Sequence, residues 1–486
     1  MAKPFGKVLI ADRGEIAVRA IRSLKEMGLR TVAIYSSADE RALHRYLADE
    51  SYFVGGPRPE ESYLNVEGII KVAKRSGAEA IYPGYGFLSQ NPTFVKRCEE
   101  EGLTFIGPPA RVHELVSNKV EAKRLLAENG IPVVPGPLRE LRDIEDALRE
   151  SERLGYPVIL KPVFGGGGIG MRVCNDAEEL RAYFEGLSKL AKAAFGKGSL
   201  FVEKFYPEAR HLEVQVLADG RGDVVHLYER ECTIQRRFQK VVEEAPSPAL
   251  DDELREKLLA LGTRVAELVR YVSAGTAEFI YLPEERVFYF IELNARIQVE
   301  HPVTEAITGI DIVKEQVRVA SGEPLSVSQE EVRASGHAFE ARIYAEDPFE
   351  GFKPSPGLVE AYLPPGGPGV RVDSGVYPGY EIPPFYDPLI AKVITWGKDR
   401  PDALRRMLRA LEEFVVEGVK TNIPFHKALF SHRDFVRGEL SRGLVDEATK
   451  AMVSGDGPKI PPPKVAERPT VHSGWKVAGR LMEAGA

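Results

Sequence analysis

Cysteine is scarce. The chain has three in 486 residues, Cys98, Cys174 and Cys232, far apart and with no C-x-x-C pair. That excludes a disulfide framework and the common zinc sites, and makes a reducing cytoplasm the expected compartment. Long apolar runs are also missing. None approaches the roughly 20 residues a membrane helix needs. The opening "MAKPFGKVLIADRGE" has only the short apolar stretch Val8–Ala11 before Asp12, so no signal peptide is expected. Neither sign of charge dominates: 65 Lys and Arg against 72 Asp and Glu leave a net charge of −7. That balance gives no support to nucleic-acid or membrane-surface binding. No internal repeat stands out.

What is present is an ordinary globular composition, 43% apolar and 28% charged, in a chain long enough for about three domains. Residues 7 to 35 read strand, turn, helix, strand. "GIIKVAKRSGAEAIYPGYG" and "RCEEEGLTFIGP" repeat the helix–strand pattern. Such alternation predicts a parallel sheet with helices packed on it. The first turn, "ADRGEI", has a single glycine and lacks the dinucleotide fingerprint. The loop "YPGYGFLSQN" (82–91) follows a strand end, where α/β folds place ligands. A helix follows from 118 and stops at Gly130, and "IPVVPGP" reads as a hinge. Further strands are expected in "YPVILKP", "FVEKFY", "HLEVQVLAD" and "VVHLYERECTIQ", then a helix over roughly 250 to 270 and a pair of strands in "GTAEFIYLPEERVFYFIELN". A helix is expected from Asp311, with Val313, Val317 and Ala320 inward. From about 335 strands and loops dominate, with helices at 400 to 413 and 422 to 431. After 450 the chain reads as linker, with "WKVAGRLMEAG" as a short terminal helix.

Four stretches carry chemistry. "KPVFGGGGIGM" satisfies G-x-G-x-x-G at 165–170, but a strand-like segment follows it, and no Gly-Lys-Ser/Thr closes it as in a P-loop. The remaining readings are a glycine hairpin or a loop whose backbone N–H groups close over phosphates. Four consecutive glycines cost too much entropy for a mere turn. Lys161 ends the strand before the loop and Lys119 opens the preceding helix, each able to pair with phosphate or to be a solvated lysine. Glu278 and Glu292 lie on adjacent expected strands, where two carboxylates can face one point. With Asn294 they offer hard oxygen ligands suited to Mg²⁺. In "FYFIELNARIQVEHP" (288–302), Phe288, Phe290 and Ile291 read as core. Glu292, Asn294, Arg296, Gln298 and Glu300 then follow at alternate positions, on one face if the chain is extended. An arginine fork there suits a small planar anion, and a nearby carboxylate can act as base toward it. His301 reads as structural. "ERECTIQRRFQKVVEEAP" clusters Arg236, Arg237 and Lys240, while Arg342 stands alone and has no role that residue chemistry assigns.

Together these motifs, with "SNK", "EARIYAEDP" and "GVKTNIPFH", resemble the biotin carboxylases of the ATP-grasp superfamily from about residue 5 to 446. The resemblance implies an α/β chain. Residues 1–117 would be a Rossmann-like parallel-sheet domain. Residues 118–330 would be the ATP-grasp, with a small lid at about 132–205. Residues 335–446 would be a mainly antiparallel C-terminal domain, and 447–486 a linker and tail. It implies phosphorylation of bicarbonate by ATP with Mg²⁺ (or Mn²⁺) to carboxyphosphate, then carboxylation of biotin N1′. Lys119 and Lys161 would hold phosphates, and Gly165, Gly166, Gly167 and Gly168 would form the lid loop. Glu203, Lys204, His211 and Gln235 would surround adenine and ribose. Glu278, Glu292 and Asn294 would bind the metal. Lys240, Arg296, Gln298 and Val299 would bind bicarbonate, Glu300 would deprotonate it, and Arg342 would stabilise the biotin enolate. The departures are Phe238 for the usual histidine of "QRRHQK", Ile169 for a basic residue, Gln90 for the Glu of "FLSEN", and "KPV" for "KAS". Phe238 cannot hydrogen-bond but can pack on ribose or adenine; it alone favours a catalytically silent nucleotide-binding scaffold. No "AMKM" motif is present, so biotin is expected on a separate carrier protein and carboxyl transfer on another chain, with this chain itself a homodimer. The final acceptor stays open among acetyl-CoA, propionyl-CoA and pyruvate. "VDSGVYPGYEIPPFYD" and "TNIPFHKALF" resemble archaeal-type subunits, including those of pyruvate carboxylases.

Overall fold

The computed structural model describes residues 5–165 and 170–454. Five strands come first: β1 (Lys7–Ile10), β2 (Arg30–Ser36), β3 (Glu50–Gly55), β4 (Ala80–Tyr82) and β5 (Thr104–Phe105). They form the expected parallel sheet in the order β3-β2-β1-β4-β5. The first helix, Gly14–Glu26, buries Ile16, Ala17, Ala20, Ile21 and Leu24 on one stripe, the spacing a 3.6-residue repeat dictates. The helix Lys119–Glu128 starts where Asn118 accepts the Glu121 N–H as its cap.

A small three-stranded antiparallel sheet follows: β6 (Val158–Pro162), β7 (Arg172–Cys174) and β8 (Leu200–Lys204), in the order β7-β6-β8. The helices Ile144–Leu154 and Ala177–Phe195 cover it, closing a core of Leu148, Val158, Leu160, Leu180, Leu187 and Val202.

Apart from short strands of two or three residues, the strands that follow are β9 (Arg210–Ala218), β10 (Val224–Glu231), β11 (Val242–Ala245), β12 (Ser273–Leu282), β13 (Val287–Asn294), β14 (His337–Tyr344), β15 (Val370–Ser374) and β16 (Leu389–Gly397). They make one antiparallel sheet, β13-β12-β9-β10-β11-β14-β16-β15. It runs through the boundary expected near 330–335, because β11 pairs with β14. On β9, Leu212, Val214 and Val216 face the helix Asp252–Leu268. That helix sits so close that a Cβ at Gly262 would lie 2.5 Å from Val214. The opposite face of β9 carries His211, Glu213 and Gln215.

The later helices lie where the sequence places them, at Ile312–Ala320 with Asp311 as its cap, Arg400–Glu413 and Ile423–Phe430. The tail expected from 447 starts later: the helix Leu444–Ser454 buries Leu444, Val445 and Ala448 in the C-terminal core. The proposed terminal helix lies outside the described residues, as do Gly166, Gly167, Gly168 and Ile169 of the glycine loop. Among the described residues no helix is long and apolar enough to cross a membrane.

Candidate active site

The polar face of the large sheet forms the floor of a cleft roofed by the small sheet. Glu278 on β12 lies between Glu292 on β13 and Glu213 on β9 in register. A bulge decides which way Glu292 points. The pairing passes from Glu278 opposite Glu292 to Phe279 opposite Phe290, leaving Ile291 as the extra residue. In an unbroken strand Glu292 would share a face with Phe290, which is core. With the bulge, Ile291 and Glu292 both line the cleft. The reading of Ile291 as core is therefore corrected. So is the extended chain assumed for 292–300: β13 stops at Asn294, and the polar groups beyond it converge through a turn before the helix His301–Thr308.

Lys240 comes from a tight hairpin in which Gln235 pairs with Lys240. Its Nζ lies 2.8 Å from Glu278 Oε1 and 2.6 Å from Glu300 Oε1, and also meets Glu213. Arg342, on β14, takes the other oxygen of Glu300 at 2.8 Å and donates from Nε to Glu243 at 2.7 Å. Arg230, fully buried, binds Glu213, Gln215, Thr304 and Thr276. Asn294 and Gln298 both donate to Glu278 Oε1, at 2.9 and 3.3 Å, and Arg296 donates to Gln298 Oε1 at 2.9 Å and to Asn294 Oδ1 at 3.3 Å. His211 Nε2 lies 3.1 Å from Glu278 Oε2, and its Nδ1 faces the Gln235 amide at 3.0 Å. His301 is buried, with Nδ1 on the Gln298 carbonyl at 2.7 Å, a structural placement.

Charge in this pocket is finely divided. Burial works against an ionised Glu300, but Lys240, Arg342 and Arg230 outweigh it and hold the carboxyl well below the usual range. Glu278 is lowered in the same way, burial being overcome by Lys240 and His211. Glu213 goes up instead, because burial and neighbouring Glu300 outweigh Arg230. Glu243 rises to about 7: burial comes first, Arg342 opposes, and Glu300 adds to it. Lys240 stays protonated despite burial because three carboxylates surround it.

At the other end of the cleft, Lys119 Nζ lies 3.3 Å from Glu292 Oε2 and donates to the Gly165 carbonyl. Lys161 Nζ reaches Glu203 Oε2 at 2.8 Å, and Lys123 takes the other oxygen. Glu203 is only 1% exposed and lies beneath those two lysines. Lys204 donates to the carbonyls of Gly155 and Tyr156, at 2.8 and 3.1 Å. Lys119, Lys161, Gly165, Lys204, His211, Gln235, Lys240, Glu278, Glu292, Asn294, Arg296, Gln298, Val299 and Arg342 all line one cleft, and Phe238 with them. Glu300 lies just beneath it, fully buried. The loop 82–91 does not line it.

The three parts of the chain match family models. Residues 4–112 match the biotin carboxylase N-terminal domain, 118–328 the ATP-binding domain of the carbamoyl-phosphate synthase L chain, and 340–447 the biotin carboxylase C-terminal domain. The chain is 52% identical to biotin carboxylase 1 of Bacillus subtilis over 440 residues, 90% of this chain and 98% of that one. It is 51% identical over 448 residues to a pyruvate carboxylase subunit of Methanothermobacter thermautotrophicus, 92% of this chain and 91% of that one. The chain belongs to the biotin carboxylase family. Its fold superposes at a TM-score of 0.90, with 48% identity, on the biotin carboxylase domain dimer of Hydrogenobacter thermophilus 2-oxoglutarate carboxylase, covering 93% of this chain and 99% of that one. That crystal structure holds MgADP, ADP and bicarbonate.

This biotin carboxylase is an ATP-dependent ligase. Sequence reasoning missed Lys123, which lines the cleft, and Glu213, Arg230 and Glu243, buried beside Lys240, Glu300 and Arg342. A signal existed for Glu213: "HLEVQVLAD" alternates polar and apolar residues, as the segment from 292 does. Arg230 and Glu243 have no local signal, since only the sheet register brings them to the site.

Proposed function

We propose that the cleft joins two half-steps, phosphorylation of bicarbonate by ATP and carboxylation of biotin N1′. The observation that carries this reading is Glu300, a buried carboxylate held ionised between Lys240 and Arg342. Ionised is the form a base needs. The same two cations weaken its basicity, so proton uptake requires an anion that draws one of them away. Bicarbonate bound by Lys240, Arg296, Gln298 and the Val299 backbone would do that. Glu300 then takes the bicarbonate proton as the oxygen bonds to the γ-phosphorus and ADP leaves. Lys119 and Lys161 hold the phosphates, and the glycine loop from Gly165 closes over them. Glu203, Lys204, His211 and Gln235 stand at the nucleoside end; Glu203 acts through Lys161, whose ammonium it orients. The C–O bond of carboxyphosphate then breaks to give CO₂ and phosphate; the phosphate takes the N1′ proton of biotin, Arg342 faces the enolate oxygen that results, and N1′ bonds to the CO₂ carbon.

The metal set fits. Glu278 and Glu292 face one another on the cleft floor as hard oxygen donors, both neutralised here by cationic or N–H groups. Asn294 turns its amide nitrogen to Glu278 and its oxygen to Arg296, so an oxygen from it requires the amide to turn over. Mg²⁺ held by these residues would neutralise charge on the phosphate oxygens.

We further propose that the chain is one subunit of a biotin-dependent carboxylase and receives biotin on a separate carrier protein. A carboxyltransferase chain would choose the final acceptor. Relatives are named as subunits of pyruvate and 2-oxoglutarate carboxylases. We also propose a homodimer, which light scattering tests: a monomer alone overturns it. The activity test is ATP hydrolysis with and without bicarbonate, then with free biotin. Bicarbonate-dependent turnover stimulated by biotin is expected. Nucleotide binding without such turnover overturns the reading.

A further inference from the structure

Two first-domain motifs, "ADRGEI" and "YPGYGFLSQN", line no part of the cleft, yet they are built with care. The Asp12 carboxylate accepts the N–H groups of Tyr85 (3.2 Å) and Gly86 (2.9 Å). Gly84 sits at φ +62, where a Cβ would come within 2.2 Å of Asp12, so only glycine fits. The two loops are thus bolted together. One of their side chains reaches the catalytic turn directly, and others reach it through Lys392. Gln90 Oε1 accepts the Ala295 N–H at 2.8 Å. Tyr85 donates its hydroxyl to Glu15, and Glu15 lies 3.2 Å from the Lys392 ammonium. Lys392, on β16 and fully buried, donates to the Val299 carbonyl at 2.7 Å.

The segment 295–300 belongs to neither strand nor helix. Its backbone geometry therefore depends on what its carbonyls and N–H groups meet. His301 holds the Gln298 carbonyl from inside, while Lys392 and Gln90 hold positions 299 and 295 from outside. We infer that Lys392, fixed by Glu15 and Tyr85, and Gln90 are positioning residues that set the 295–300 turn for bicarbonate. The inference rests on the reading above that this turn receives the anion. A buried lysine beside a buried glutamate is otherwise a poor choice for a sheet interior, and the Val299 carbonyl is the third partner that gives the pair a task.

The test compares Gln90→Ala, Lys392→Met and the double variant Glu15→Gln/Lys392→Met, which removes both members of that ion pair, with Gln298→Ala as reference. KM for bicarbonate, KM for ATP and kcat are measured in bicarbonate-dependent ATP hydrolysis. The positioning variants are expected to raise KM for bicarbonate about tenfold or more and to leave KM for ATP within about twofold. An unchanged KM for bicarbonate in them, with Gln298→Ala impaired, overturns the positioning role alone. An unchanged KM for bicarbonate in Gln298→Ala as well overturns the assignment of the turn to bicarbonate, and the inference with it. Both KM values rising together reduces Lys392 to a fold-stabilising residue. If the Lys392 variants fail to fold, Gln90→Ala, at a half-buried position, decides.

Discussion

Glu300 and Arg342 show what single residues contribute and what their removal leaves behind. Glu300→Gln keeps the shape and loses the carboxylate proposed as the base. Biotin carboxylation is expected to fall by about a hundredfold or more, measured as bicarbonate- and biotin-dependent ATP turnover; an unchanged rate removes the role. Arg342→Ala is different, because it leaves Glu243 without a partner in a buried pocket and Glu300 without one of its two clamping cations. Losing one partner of a buried pair costs roughly 3 kcal/mol, so the denaturant midpoint should drop along with carboxylation. The double variant Glu243→Gln/Arg342→Ala removes one stranded carboxylate. It should recover part of the stability and none of the carboxylation. Recovery of both would make Arg342 a structural residue only. Glu243 already lies near neutrality, with burial and Glu300 pushing it up to about 7 against Arg342, so its loss is cheap once the arginine is gone.

At the level of elements, the site depends on two irregularities. One is the bulge at Ile291, which turns Glu292 toward Glu278. The other is the hairpin loop Arg237–Phe238, with φ +51 and +65, left-handed values that non-glycine residues adopt at roughly 1 kcal/mol each. Asn-Gly is the loop such a turn prefers. Arg237→Asn/Phe238→Gly should therefore stabilise the protein by about 1 kcal/mol while raising KM for ATP, since Phe238 lines the cleft. A stability gain with unchanged KM would show that the ring does not touch nucleotide. These irregularities also mark the limit of what the sequence reveals. The alternation of Glu292, Asn294, Arg296, Gln298 and Glu300 announced a convergent polar cluster, but through an extended geometry that ends at Asn294. A period of two cannot show a bulge, because the extra residue changes the face without changing the spacing. The parallel sheet and the helices at 400–413 and 423–430 were legible from local periodicity. Arg342 was not: its role comes from β14 pairing with β11, a contact between residues about 100 apart.

That long-range pairing makes the whole molecule one cooperative problem. The eight-stranded sheet carries Glu278 near one edge and Arg342 past its middle, so loss of C-terminal packing removes half of the Glu300 clamp. Histidines buried throughout the chain bear on its acid tolerance, His44, His113, His301 and His426 among them. Burial pushes His44, His113 and His426 down to about 4. The Pro108 carbonyl near His113 and the Arg342 carbonyl on His426 oppose this without prevailing. Unfolded histidine takes its proton near 6.5, the folded ring only near 4. The stability each neutral ring contributes is therefore fully present above about 6.5 and is lost as pH falls through the window to 4. The loss approaches about 3 kcal/mol per residue. His113 is the cleanest probe: among the described residues neither ring nitrogen has a hydrogen-bond partner, and the ring packs edge-on against Phe105 at 5.8 Å. His113→Phe keeps that packing and removes the titration. Its unfolding midpoint should match the parent's at pH 7.5 and exceed it increasingly between pH 6 and 5. Parallel midpoint curves for the two proteins would mean that His113 does not titrate in this window, and that carboxylates alone govern the acid limb.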